Sequence, residues 1–186
     1  EISLGLVGSE MCIRDRTNLC ERKRKIQRFL SGALDMKNQQ FDFLHLSGAW
    51  LKERHIKRHS LEQGTVSVGS LKGASSHQHN PFIALLPKGS SNHQGDIYGA
   101  NLIYSGNFLA QTELDEWDNL RLLLGIHPEA FSWELKQNEA FETPEMLLHY
   151  TDEGLNGLMQ ETSCFIEKHV VNPCLLYTSP SPRDRG

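Results

Sequence analysis

The fold is constrained most strongly by a series of short apolar segments that are closely spaced and separated by turn residues. Residues 41–46 read FDFLHL, and this high content of apolar residues is typical of a buried strand. Eight further segments follow, at residues 65–68, 82–86, 96–104, 108–114, 120–126, 131–135, 141–143 and 146–150. Many short strands at this spacing are typical of an antiparallel β-sandwich. The tripeptide Ser105-Gly106-Asn107 predicts a hairpin turn between two of the segments.

The apolar period changes after residue 152. Apolar positions then recur at steps of three and four residues, which places them on one face of a helix. Asp152 is the predicted N-cap, and Lys168 and His169 suit the last turn. The sequence therefore predicts a mainly β chain with one C-terminal helix, whose inner face carries Leu155, Leu158, Met159, Thr162, Phe165 and Ile166.

Charge is unevenly distributed along the chain. Residues 17–72 carry 11 Lys and Arg against 5 Asp and Glu, whereas residues 73–173 carry 4 against 14. The basic part is densest at residues 21–25, ERKRK, and such a run can bind phosphate groups. No aromatic residue interrupts the run and the second half of the chain is acidic. We therefore interpret the run as a solvated loop and expect no nucleic-acid partner.

The remaining composition excludes several classes of protein. No run of about 18 apolar residues occurs, so we expect no membrane span. Cys20 and Cys164 lie far apart without a CxxC partner, which predicts neither a disulfide framework nor a zinc site. A reduced, cytoplasmic setting fits this cysteine usage. No dinucleotide fingerprint, phosphate loop or Gly-x-Ser-x-Gly motif is found.

Four blocks of the chain resemble one known family. Residues 41–58 read FDFLHLSGAWLKERHIKR, residues 73–86 read GASSHQHNPFIALL, and residues 141–157 read FETPEMLLHYTDEGLNG. The fourth block covers residues 98–135 and reads YGANLIYSGNFLAQTELDEWDNLRLLLGIHPEAFSWEL. Together they resemble the N-terminal β-sandwich domain of the family 36 glycoside hydrolases, the bacterial and fungal α-galactosidases. The resemblance is gapless over tens of residues and contains rare sequences such as His-Gln-His-Asn-Pro.

The resemblance implies a domain organisation and an activity. Residues 17–151 would form part of the N-terminal sandwich, known as a supersandwich, and residues 152–173 a helix linking it to a catalytic barrel absent from this chain. The parent enzyme would hydrolyse terminal α-D-galactosyl residues of oligosaccharides by a retaining mechanism, with two aspartates of the barrel. The chain itself would then hold no catalytic residue and be inactive. The family implies no cofactor and often a homo-oligomer.

The two ends do not resemble the family. Residues 6–15 read LVGSEMCIRD and residues 174–184 read CLLYTSPSPRD, and both resemble translations of one transposase-type sequencing adapter in opposite orientations. A signal peptide is the alternative for the first segment, but Gly and Ser residues and Glu10 break its apolar run. We therefore expect residues 1–16 and 174–186 to be adapter sequence without a native packing role.

Trp50 is the predicted substrate-binding residue. It follows Ser47-Gly48-Ala49 at the end of a predicted strand, and small residues before a large ring let the ring project beyond the strand. Sugars present C–H patches that pack on aromatic faces. The family resemblance implies the same role, because the Trp of its Gly-Ala-Trp motif reaches toward the sugar pocket of the barrel. The alternative is packing at the domain interface. Trp133 alternates with apolar neighbours and is predicted to lie in the core.

Two other groups of residues could carry chemistry. His77 and His79 are two positions apart, so on a strand both imidazoles could bind one metal ion. No third ligand is marked nearby, and bracing of a loop by hydrogen bonds is the preferred interpretation. The acidic residues Glu113, Asp115, Glu116 and Asp118 could supply a glycosidase carboxylate pair. Their position at a strand end instead predicts a solvated turn, so we predict no catalytic and no metal-binding residue.

Two other functional classes stay open. The chain could be a stand-alone carbohydrate-binding β-sandwich without catalytic activity. It could also be a non-catalytic interaction domain, although no feature of the sequence favours this. A barrel with a Lys-Trp-Asp motif downstream of Val171 would identify the parent as an enzyme.

Overall fold

The computed structural model describes residues 8–171 of the 186-residue chain. This part of the chain contains short strands followed by one α-helix, α1, at Gly154–Phe165, which continues as a π-helical turn at Ile166–Val170. A 3-10 turn lies at Pro128–Ala130. The strands, in chain order, are β1 Gly8–Cys12, β2 Asp15–Thr17, β3 Arg24–Ile26, β4 Leu30–Lys37, β5 Phe41–Ala49, β6 Lys52–Ser60, β7 Gly64–Gly69, β8 His79–Pro87, β9 Ile97–Ile103, β10 Phe108–Leu114, β11 Asn119–Ile126, β12 Trp133–Leu135, β13 Ala140–Glu142 and β14 Glu145–Thr151.

The strands form two main sheets that pack face to face. The six-stranded sheet has the order β1-β14-β9-β8-β5-β6, and the four-stranded sheet has the order β4-β11-β10-β7. Neighbouring strands in both sheets are antiparallel. Two small ladders, β3–β12 and β2–β13, lie outside the main sheets. The predicted antiparallel β-sandwich with a C-terminal helix is confirmed.

The main core lies between the two sheets. Strand β10 alternates between buried and half-buried residues, as expected for a strand with one face on a core. Phe43, Ile83 and Phe108 are completely buried there. A second apolar cluster on the other face of the six-stranded sheet contains Phe82, Ala84 and Leu86 of β8 together with Leu155 and Leu158 of α1. Residues 82–86 form a continuous apolar run because both faces of β8 are covered.

The predicted hairpin at residues 105–107 is wrong. Strand β9 before this turn pairs with β8 and β14, whereas β10 after it pairs with β7 and β11. The turn therefore carries the chain from one sheet of the sandwich to the other. A Gly-Asn turn reverses the chain direction in both arrangements, so its sequence does not distinguish a hairpin from a crossing between sheets.

Helix α1 begins differently from the prediction. Glu153, not Asp152, is the N-cap residue, and its side chain makes no capping bond. The free N–H groups of the first turn instead donate to backbone carbonyls of the loop at residues 91–95: Leu155 to Ser91 at 3.2 Å and Asn156 to Asn92 at 2.9 Å. Backbone carbonyls thus replace the side-chain cap. The predicted role of residues 152–173 as a linker to a barrel stays a prediction.

The segments predicted to be adapter sequence lie only partly within the described residues. Residues 1–7 and 174–186 are outside them. Strand β1 pairs with β14, from Gly8 opposite Tyr150 to Cys12 opposite Met146; Met11 is 44% exposed, whereas Cys12 is half-buried and packs against the main core. Ladder hydrogen bonds join backbone groups and do not require particular side chains. The pairing is therefore compatible with either origin, and the adapter origin stays a prediction.

Candidate functional site at the end of strand β5

Trp50 lies in the tight turn between β5 and β6. Trp50 is 79% exposed, and the next residue, Leu51, is 74% exposed. Leu51 adopts a positive φ of 61°, and its N–H donates to Oε1 of Glu53 at 3.1 Å. The turn therefore presents an indole and an isobutyl group beyond the strand end. Two neighbouring apolar side chains exposed to solvent indicate a surface that a ligand or another domain can cover.

Gly48 fixes the path of the chain into this turn. A Cβ at Gly48 would lie 2.4 Å from the carbonyl oxygen of Lys52, 2.7 Å from Cα of Glu53 and 3.0 Å from the carbonyl oxygen of His77. The Gly48 N–H donates to the Gln78 carbonyl at 3.1 Å. The strand end is thus held between β6 and the turn that precedes β8. Only glycine fits between these backbones without a shift, and this positions Trp50.

The His-Gln-His-Asn stretch supports the turn mainly through its backbone. His77 is exposed, and the Gln78 N–H donates to Oγ of Ser76 at 3.2 Å. His79 is half-buried and its ring packs against His45, with ring centroids 5.9 Å apart. The loop bracing that the sequence suggested is present, but backbone groups, Ser76 and a hydrogen bond from Lys72 Nζ to Oε1 of Gln78 provide it.

Three histidines from different strands meet near this turn. Nε2 of His45 lies 3.4 Å from Nε2 of His59, and His79 completes the group. Burial, followed by the neighbouring His59 and His79, lowers the pKa of His45, and burial lowers the pKa of His79. Within residues 8–171, no group of three His, Cys, Asp or Glu side chains is arranged to hold a metal ion.

Three residues of the acidic cluster, Asp115, Glu116 and Asp118, form the β10–β11 turn, and Glu113 lies in β10. Oδ1 of Asp115 accepts hydrogen bonds from the N–H groups of Trp117 and Asn119, both at 2.8 Å, and Oδ2 accepts from Asn119 Nδ2 at 2.7 Å. The side-chain bond from Asn119 is the largest cause that lowers the pKa of Asp115. Asp118 adopts a positive φ of 58°. The Asp115 carboxylate thus holds a solvated turn, which is the setting that the sequence predicted.

The other two tryptophans differ in their surroundings. Trp117 in the acidic turn is 73% exposed. Trp133 is 45% exposed, so its predicted position in the core is wrong. It lies in β12, which among residues 8–171 pairs only with β3 and belongs to neither main sheet. The alternation of apolar residues therefore does not turn its ring toward the sandwich interior.

The basic run at residues 21–25 is largely solvated, but it is not wholly a loop. Arg24 and Lys25 belong to β3 and pair with Leu135 and Glu134 of β12. Side-chain charge contacts are sparse here: Lys23 Nζ lies 3.9 Å from Oε2 of Glu134, and both side chains are mostly exposed. Such a pair contributes little to stability.

Comparison with known proteins places this architecture in a family. Residues 13–136 match the sequence profile of the glycosyl hydrolase family 36 N-terminal domain. The chain belongs to glycoside hydrolase family 36. The matched range contains the four-stranded sheet and strands β5, β6, β8 and β9 of the six-stranded sheet, including the Gly48–Trp50 turn, and lies between β1 and β13. The family 36 assignment agrees with the resemblance in the sequence.

Several family 36 proteins are similar to this chain. It is 48% identical over 136 residues to "Alpha-galactosidase AgaA" of Geobacillus stearothermophilus, covering 73% of this chain and 19% of the relative. It is 42% identical over 146 residues to "Alpha-galactosidase 1" of Pediococcus pentosaceus, and the alignment covers 78% of this chain and 20% of that relative. The chain thus spans about a fifth of the length of the curated relatives it matches.

Solved structures of family 36 proteins share the fold. A crystal structure of an AgaA variant from Geobacillus stearothermophilus in complex with stachyose aligns with a TM-score of 0.84 and 41% identity, covering 87% of this chain and 23% of that one. An AgaA variant in complex with raffinose aligns with a TM-score of 0.78 and 44% identity, and the alignment covers 81% of this chain and 21% of that one. Within residues 8–171, no helix has the length and apolar character needed to cross a membrane.

Sequence reasoning missed two parts of the hairpin. The first is the close backbone contact at Gly48, which the small-residue run before Trp50 signalled only indirectly. The second is a polar network that ties β6 to β5: Arg58 Nε donates to Oδ2 of Asp42 at 2.6 Å, and Ser60 Oγ donates to Oδ1 at 2.9 Å. No sequence pattern indicated this network, because its members lie 16 and 18 residues apart.

Proposed function

We propose that this chain is part of an α-galactosidase that releases terminal α-D-galactosyl residues from oligosaccharides. The match of its sandwich to the family 36 N-terminal domain carries this proposal. It is supported by relatives named as α-galactosidases, one of which, AgaA of Geobacillus stearothermophilus, was crystallised as variants in complex with raffinose and with stachyose. The substrate class of the parent is then an oligosaccharide with a terminal α-galactosyl group.

The chemistry would follow the retaining pathway of two carboxylates. One carboxylate attacks the anomeric carbon and forms a galactosyl-enzyme intermediate, while the other protonates the leaving oxygen and then activates water. By resemblance, both belong to the barrel. The chain described here would contribute binding and positioning, and by itself would hydrolyse nothing.

Trp50 is the residue of this chain that we assign to the substrate. Its exposed indole offers an apolar face for the C–H side of a sugar ring. Gly48 and the Gln78 carbonyl hold the strand end from which the ring projects. Because backbone contacts hold this strand end, the Cα of Trp50 has a fixed position, which reduces the entropy cost of ordering the indole on binding.

The remaining features of the parent rest on the family resemblance. The barrel of the same parent chain would be the main partner of the sandwich, and the parent would form a homo-oligomer. We place it in the cytoplasm, without a cofactor, a nucleic-acid partner or a membrane contact. The cysteine usage of the sequence agrees with a reduced compartment.

Substitution of Trp50 tests the proposal in a complete enzyme that carries this sequence. Trp50→Ala removes an aromatic contact worth roughly 0.5–1.5 kcal/mol beyond its buried area. We expect kcat/KM for raffinose to fall about tenfold or more, with an unchanged melting temperature. Trp117→Ala, which removes another exposed indole in the acidic turn, is the matched control and should leave both values unchanged.

Two results would contradict the proposal. Early melting of Trp50→Ala with normal binding by its folded fraction would assign Trp50 to interface packing. Turnover of an aryl α-galactoside by the isolated chain, above that of its Glu113→Ala, Asp115→Ala double variant, would show that the acidic turn is catalytic. A complete enzyme that does not hydrolyse raffinose would remove the proposed activity itself.

A further inference from the structure

An aromatic cleft lies at the β12–β13 end of the molecule. Its wall is formed by Tyr104, Phe131, Trp133 and Phe141, and its volume is about 650 Å³. The ring centroids of Phe131 and Trp133 lie 5.3 and 5.4 Å from that of Phe141, so the three rings pack as one surface. Trp133 is 45% and Tyr104 38% exposed, and both rings remain accessible from solvent. A cleft of this volume is in the range of small-molecule sites.

Polar groups surround this aromatic wall. The Ser132 hydroxyl and the Glu142 carboxylate belong to lining residues, as do the Tyr104 hydroxyl and the Trp133 indole N–H. Within the described part of the chain, none of these four side-chain groups makes a hydrogen bond or an ion pair. The neighbouring Thr143, in contrast, is already engaged, because its Oγ1 accepts from the Arg14 N–H at 3.1 Å. Donors and acceptors at the cleft are thus available to a ligand.

This combination selects one class of ligand. A purely apolar or aromatic ligand would cover the four polar groups without pairing them, and each unpaired group costs free energy. A small anion would be repelled by Glu142 and would leave the rings uncovered. A saccharide satisfies both requirements, since one face carries C–H groups and the edge carries hydroxyls that donate and accept.

We propose that the Tyr104–Trp133–Phe141 cleft is a saccharide-binding site. The ring of the sugar lies on the Trp133 indole, and its hydroxyls bond to the Glu142 carboxylate and the Ser132 and Tyr104 hydroxyls. The choice of a galactosyl-containing sugar as ligand rests on the proposed function. The site itself rests on residues of this chain alone, and binding there needs no catalytic step.

The test measures raffinose binding to the complete 186-residue chain by isothermal titration calorimetry. We expect a dissociation constant on the order of 1 mM, because the cleft is open to solvent. Trp133→Ala should weaken binding at least about tenfold, since it removes the platform. Glu142→Gln leaves the packed rings intact and should weaken binding several-fold, so the test does not depend on the folding of Trp133→Ala alone. Trp117→Ala should bind as the unchanged chain does.

The opposite results would overturn the assignment. These are absence of raffinose binding, binding that survives in folded Trp133→Ala and Glu142→Gln, or binding that is lost in Trp50→Ala but kept in Trp133→Ala. Because the isolated chain is expected to be inactive, these results are independent of hydrolysis by the complete enzyme. A complete enzyme without activity would remove the proposed function while raffinose binding at Trp133 still supported the site.

Discussion

At the scale of single residues, the histidines near Trp50 predict a pH-dependent stability. The pKa of His45 is lowered in the folded chain, chiefly by burial and then by His59, so the unfolded chain binds more protons near pH 6. The free energy of unfolding is therefore at its full value above the ordinary histidine pKa, and it decreases as the pH falls below that pKa. We expect the unfolding free energy to fall by up to about 1.4 kcal/mol per pH unit for each such histidine.

Urea denaturation at about pH 7.5 and pH 5.5 measures this slope. His45→Gln should reduce it, whereas His77→Gln, at an exposed position, should leave it unchanged. Burial also lowers the pKa of His149 to about 4, so part of the slope should remain in His45→Gln. Equal slopes in the unchanged chain and His45→Gln would show that the buried histidine does not control the acid response.

Residue positions could be predicted from the sequence where a regular strand determines them. Phe43 and Phe108 lie in strands of the main sheets, and their burial follows from the apolar pattern. Trp133 follows the same pattern in β12, but it lies at the rim, because a strand outside both sheets has no sandwich interior on either side. The apolar pattern predicts which side chains share a face of a strand, and the sheet to which the strand belongs decides which face is buried.

At the scale of elements, the start of α1 depends on Gly154. This residue has a φ of 72°, and a Cβ there would lie 2.5 Å from the Gln94 nitrogen and 2.7 Å from the Ser91 carbonyl oxygen. Gly154→Ala should therefore displace the 91–95 loop that caps the helix and lower the unfolding free energy by about 1–3 kcal/mol. Urea denaturation followed by far-ultraviolet circular dichroism measures the loss.

Gly89→Ala is the matched control for this substitution. Gly89 also has a positive φ, 92°, but nothing lies within 4 Å of its Cβ position. It should therefore show the backbone cost alone, and Gly154→Ala should exceed it by the cost of the displaced loop. Equal losses in the two variants would mean that the contact with the loop contributes nothing to the helix.

The strands that the sequence did not predict show what the apolar pattern leaves out. Strand β6 is exposed along its whole length and carries mostly charged and histidine side chains, so no apolar signal marks it. It forms because β5 offers an unpaired edge and because Arg58 bonds to Asp42 across the ladder. The crossing between β9 and β10 was hidden for a related reason, since strand partners are decided by tertiary packing and not by the turn.

At the scale of the whole molecule, the β5–β6 hairpin leaves one border of the sandwich open. Trp50, Leu51 and Ile56 are each more than half exposed there, and β6 has no partner on its outer side within residues 8–171. An exposed edge with apolar side chains favours association. The cations Lys52, Arg54 and Lys57 oppose it, because two such edges repel each other.

The balance between these two effects predicts association that increases with salt. Screening shortens the range of the repulsion from about 10 Å at 0.1 M ionic strength to about 3 Å at 1 M, while the apolar contacts persist. Sedimentation velocity of the chain should therefore show a growing oligomer fraction between these two conditions. Ile56→Thr keeps a β-branched residue in the strand and should reduce the fraction, whereas Leu71→Thr, at a half-exposed loop position, should not. A chain that stays monomeric at both salt concentrations and unfolds in one sharp, reversible transition would contradict this prediction. It would favour a stand-alone carbohydrate-binding module, because part of a larger protein is expected to leave apolar surface uncovered.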